Sequence, residues 1–299
     1  MIFAAIVRGF ERLSFMPVRK LQLLFACAFV AASAVAQSTP APKAELSARD
    51  IVLRALKKEE RNLDLRRNYT FQRREVEKEL EKDGRVKKTT ILTYDVLMVG
   101  DRPYSKLIAR NDQPLSAKEQ REQEEKLQKA SDQRKRKQAE RERKKPERDE
   151  EERKMLQAVD AAYSFRVAGE EMIDGHPAWQ IEATRNPQFK PSGLMQGVLS
   201  RVQGRLWIGK EGYEVLKLGI DVVEDWSVGL FLAKLYKGTH FDMERTRVND
   251  EIWLPKREYA HASARIGWKS QRVESETVYS NYRKFRTEAK ITGVTEAKP

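Results

Sequence analysis

Tyr213-Glu-Val-Leu-Lys-Leu-Gly-Ile-Asp-Val-Val-Glu-Asp225 decides the fold. Leu216, Leu218, Ile220 and Val222 fall on alternate positions with Lys217, Gly219 and Asp221 between them, so the segment reads as a strand with one buried and one wetted face. On a helix the same residues would be spread around the whole girth. The pattern extends outward to 205–209, 233–248, 251–267 and 271–286, with Lys210-Glu-Gly212, Asn249-Asp250 and Gly267 to Ser270 marking the reversals. Long strands that follow one another in this way pair antiparallel, and the text predicts one large, strongly bent sheet.

Toward the N-terminus the same signals recur. Residues 164–171 and 178–184 flank an Asp174-Gly175 turn, and 69–73, 89–99 and 104–110 form a meander around Asp83-Gly84 and Asp101-Arg-Pro103. Before that meander, Ser47 and Asp50 open a helix whose apolar residues Ile51, Val52, Ala55, Leu56 and Leu63 recur at helical spacing and end near Asp64. Leu194, Met195, Val198, Leu199 and Val202 also recur at helical spacing, as a short helix on the sheet or a flap beside it. The apolar run of residues 226–236 reads either as a buried strand or as a rim that touches lipid.

Residues 117–154 are a different material. They hold 15 Lys or Arg and 12 Asp or Glu in 38 positions, and such a segment has no face to bury. It is a solvated helical arm or a disordered insertion, and Pro146 interrupts any helix there. Its role is that of a spacer, or of an arm that meets a partner or a membrane.

Upstream, Met16-Pro-Val-Arg-Lys20 leads into a short apolar run that stops at Ala34-Val-Ala36. A positive region, an apolar run and small residues before Gln37 together make a secretory signal over residues 1–36, starting at Met16, with a flexible leader over 37–46. The protein is therefore expected to be exported to the periplasm. Export changes what the net charge of +13 and the pI near 9.6 mean, because the polyanions outside the inner membrane are lipid headgroups and not nucleic acid. The one cysteine, Cys27, lies inside the signal; as a lipidation site it would leave very little apolar length after Lys20. No cysteine is left to hold a metal or a disulfide.

On 251–267 one face carries Ala260, Ala262, Ala264 and Ile266. A row of small apolar residues on a curved sheet leaves volume to be filled by the protein's own helix or by an apolar ligand. With Leu216, Leu218, Ile220, Val222, Leu194, Met195, Val198 and Leu199, this row makes an apolar cup the candidate ligand site. Catalytic chemistry finds no foothold in the sequence. His176, His240 and His261 have no metal-ligand spacing, no nucleophile elbow or phosphate loop is present, and Glu170-Glu171 and Glu224-Asp225 point to opposite faces of their strands.

Gly204-Arg-Leu-Trp-Ile-Gly209 followed by Tyr213-Glu-Val-Leu-Lys-Leu218, and Glu251-Ile-Trp-Leu-Pro255 followed by Tyr279-Ser-Asn-Tyr-Arg-Lys-Phe285, resemble the strand–turn–strand and closing strands of the LolA/LolB/RseB superfamily of periplasmic lipoprotein-carrier-like proteins. The resemblance covers residues 45–115 and 160–290 by element order. It implies an α+β fold, an incomplete β-barrel with an N-terminal helix and helices over its concave face, in a single LolA-like domain over 47–299; the charged helical insertion at 116–160 departs from the family pattern. It also implies a non-catalytic carrier of lipid or lipoprotein acyl chains, held without a cofactor. The alternative is an envelope regulator or scaffold that binds an envelope protein or an anionic membrane surface through the charged arm, its cavity filled by its own helices.

Overall fold

A computed structural model describes residues 46–100, 102–137, 143, 150, 154, 157–192, 194–228 and 233–285. The signal, its Met16 start, Cys27 and all but the last residue of the leader lie outside the described residues. Helix α1 (Ala48–Arg66) comes first, and it buries Ile51, Val52, Ala55 and Leu56 as a single stripe. The chain then makes a meander of β1 (Tyr69–Leu80), β2 (Val86–Val99), β3 (Arg102–Arg110) and the two-residue β4 (Gln113–Pro114).

Helix α2 (Ala117–Arg136) follows. Beyond a helical stretch at 157–162 run β5 (Tyr163–Ile173), β6 (His176–Arg185), helix α3 (Leu194–Leu199), β7 (Val202–Gly209) and β8 (Val215–Val222). The chain closes with β9 (Trp226–Val228), β10 (Ala233–Leu235), β11 (His240–Val248), β12 (Ile252–Ile266) and β13 (Lys269–Lys284).

Among the described residues thirteen strands belong to one antiparallel sheet; eleven follow the order β4-β3-β2-β1-β13-β12-β11-β8-β7-β6-β5, with β4 and β5 at the two ends, while β10 branches off β12 and carries β9, so the barrel stays open. The molecule is thus α+β, as expected. The sequence reading of 233–248 as one strand is corrected: Gly238, at φ +87°, turns the chain between β10 and β11, and its N–H bonds to the Val222 carbonyl at 2.9 Å. As a result the sheet forks at β12. One edge of β12 pairs with β13, while the other pairs first with β11, over Ile252 to His261, and then with β10, over Ala264 to Ile266.

The charged segment is helical over α2, which buries none of its residues. Ser116 and Glu119 close a capping box at its start, and near its end Arg134 donates to the carbonyls of Val99, Arg102 and Pro103 at 3.0, 2.8 and 3.2 Å. Lys106 bonds Glu124 across the same contact. The arm is therefore largely wetted, and it is pinned to β2 and β3 through Lys106 and through Arg134, whose guanidinium also lies over the Tyr104 ring. Pro146 lies outside the described residues.

Candidate functional site

Register places an apolar strip across four strands. Leu218 stands between Leu206 of β7 and Met243 of β11, Ile220 between Gly204 and Phe241, and Val222 beside Val202. Phe241 then faces Ala260 of β12, whose face continues through Ala262 and Ala264 to Ile266. Gly204 is obligatory here, since a Cβ would sit 2.8 Å from the Gly219 carbonyl oxygen; the close approach of β7 to β8 depends on it. Leu218, Ile220, Val222 and Ala264 are buried, whereas Phe241, Ala260, Ala262 and Ile266 are half-buried.

Helix α1 covers one end of this face. Arg54 reaches the Tyr213 hydroxyl at 3.0 Å, Lys58 pairs with Glu214 at 3.2 Å and Glu59 with Arg245 at 2.6 Å. Two of these contacts land on the turn that precedes β8 and the third on β11, all away from Ile220 and Phe241. At the opposite end α3 packs on β7 and β9. Val198 and Leu199 are buried beneath it, and the Tyr163 hydroxyl donates to the Leu199 carbonyl at 2.9 Å. The side chains of Leu194 and Met195, and residues 229–232 of the apolar run, lie outside the described residues.

Leu216 is a correction. Leu206 pairs with Leu218 and Trp207 with Lys217, but Ile208 pairs with Val215, so the register slips by one at Leu216. The slip turns its side chain to the other face, where it packs with Ala178, Trp207 and Trp253. There Leu216 and Trp253 line a polar cleft of about 220 Å³ together with His176, Lys210, Glu214 and Arg247. Leu218, Ile220 and Val222 share the face described above.

Beyond β12 the inner face changes character. Ala260 and Ala262 are followed on β13 by Ser275 and Val273 and on β1 by Glu77 and Glu79, and the neighbouring row runs Glu258, Thr277, Glu75. Under α1 sits a charged knot that the sequence reading missed. Arg245, 1% exposed, forks onto Glu59 at 2.6 and 3.1 Å, and Arg66 reaches the same carboxylate at 2.6 Å. Burial alone would raise the Glu59 carboxyl, but the charges of Arg245 and Arg66 outweigh it and hold the group down to about 2. The signal was present in α1, where Glu59 falls on the stripe set by Val52, Ala55 and Leu56.

His240 is held on the outer face between Asp221 and Asp242, 2.7 Å from each. Among the described residues no group of three His, Cys, Asp or Glu side chains could hold a metal ion, and no helix is long and apolar enough to cross a membrane.

No family model and no curated protein matches the chain. Among solved structures it is similar to a DUF1329 family protein from Desulfovibrio piger, at 12% identity and a TM-score of 0.32 over 81% of this chain and 95% of that one. It is also similar to a LolA superfamily protein from Nitrosomonas europaea, at 11% and 0.28 over 82% and 96%. A third is a putative outer membrane lipoprotein-sorting protein domain from Vibrio parahaemolyticus, at 11% and 0.29 over 79% and 94%. Two of the three carry the names of the group that the sequence resembles. At such scores nothing of their function transfers to this chain.

Proposed function

We propose that the protein is an exported, periplasmic, non-catalytic binder of lipid or lipoprotein acyl chains, which lie on the strip formed by Leu218, Ile220, Phe241, Ala260 and Ala262. One observation carries the reading: the half-buried members of the strip are small or flat and apolar, and they continue a buried apolar row past the end that α1 covers. Four strands spaced about 4.8 Å apart give a strip of about 15 Å, the reach of a medium-length acyl chain. Each buried methylene contributes about 0.8 kcal/mol, so such a chain offsets the entropy of binding with no polar contact.

A second reading, an envelope scaffold or regulator, draws on α2, which buries nothing yet is pinned by Arg134. One experiment separates the two. Protein purified under native conditions and extracted with organic solvent should release acyl species, and Ala262→Trp, which fills the strip, should cut that yield at least tenfold with an unchanged circular dichroism spectrum. An extract free of acyl species, together with no uptake of a fluorescent fatty acid, sinks the carrier reading and leaves the scaffold.

A further inference from the structure

Two hairpin ends lie side by side at the end of the sheet toward which Ala260, Ala262, Ala264 and Ile266 run. The β1–β2 hairpin closes through the Glu81 N–H on the Arg85 carbonyl at 2.8 Å, and β12 turns into β13 through Gly267 and Trp268. Leu80 pairs with Arg272, and the Arg272 guanidinium donates to the Lys82 carbonyl, so the two tips reach the same level. At that level Trp268 is 90% exposed and Val86 53% exposed. An indole held out in water does nothing for the fold, since a two-residue turn is satisfied by small polar residues.

Around these apolar groups stand Lys82, Arg85, Lys87, Lys88, Lys269 and Arg272, all exposed, against the exposed carboxylates of Glu81 and Asp83. Of these cations, Arg85 spends its charge on Asp83 at 2.7 Å, and Arg272 donates to the Lys82 carbonyl. A projecting tryptophan ringed by cations matches the interface of a bilayer, where indole settles at headgroup level and anionic lipid attracts lysine and arginine.

We propose that this end of the sheet docks on an anionic phospholipid bilayer, with Trp268 and Val86 entering the headgroup region and the lysines contacting lipid phosphates. The surface goes beyond the acyl-binding reading and does not depend on it, because none of its residues lines the strip.

Flotation with vesicles tests it. The full chain should float with vesicles of phosphatidylcholine doped with phosphatidylglycerol, bind phosphatidylcholine alone much more weakly, and be released as salt rises. Lys87→Ser with Lys88→Ser should weaken binding by on the order of tenfold, and Trp268→Ser by several-fold, both with unchanged circular dichroism. Ala262→Trp should float like the parent, which separates failure of the strip from failure of this surface. No flotation, equal binding to neutral and anionic vesicles, or full binding by Trp268→Ser overturns the proposal.

Discussion

Arg245 and Glu59 are 186 residues apart and meet beneath α1, with the arginine fully buried. Removing Arg245 leaves the Glu59 carboxylate with Arg66 as its remaining cation, so Arg245→Ala should lower the unfolding free energy by about 3 kcal/mol, the low end for a broken buried pair, in urea titrations at neutral pH. The same site sets an acid limit. The Glu59 carboxyl titrates lower in the folded chain, near 2, than its ordinary value of 4.5, so its contribution is complete above 4.5 and is lost as pH falls toward 2. That contribution is on the order of 3 kcal/mol. Stability measured between pH 5 and pH 2.5 should fall steeply in the parent and more gently in Glu59→Gln. Sequence reading went astray at this scale for a physical reason: alternation assumes an unbroken strand, and the one-residue slip at Leu216 reverses a side chain with no trace in the apolar pattern.

Elements were more legible than single residues. Strand runs and their Asp-Gly or Asn-Asp reversals reappear as β1 to β3, β5 to β8 and β11 to β13, because a period of two and a turn that needs positive φ are local properties. Asp174, Gly175, Asn249 and Asp250 all take positive φ in the structure. The fork at β12 was not legible, since nothing local tells a strand that its neighbour will change from β11 to β10 along its length. Helix α2 was readable as solvated from its composition, and its anchoring by Arg134 was not, because one cation among the seven of the helix carries no distinguishing mark. Contacts of that exposed, polar kind contribute little. Replacing residues 116–154 by a short linker should therefore shift the thermal midpoint by only a few degrees and keep a single cooperative transition. A broad or two-step melt would show that the arm belongs to the folding unit.

For the whole molecule, the open sheet was legible and the make-up of its inner face only partly so. The apolar strip came from alternation on β8 and β12, but the change to Ser275, Glu77 and Glu79 beyond β12 depends on which strands become neighbours. The main path of the sheet never closes and keeps two raw margins at its ends, where another copy could add itself, strand by strand, into a fibre. One margin is β4, only two residues long and ending in Pro114, which has no N–H to offer an incoming chain. The other is β5, eleven residues long, whose ladder slips between Val167 and Gly169. Ala168 thus kinks the one margin long enough to template growth. Deleting Ala168 should straighten it, and light scattering at high protein concentration should then report filaments where the parent stays monodisperse. An open barrel exposes the chain to polymerisation, and on this account a single extra alanine guards against it.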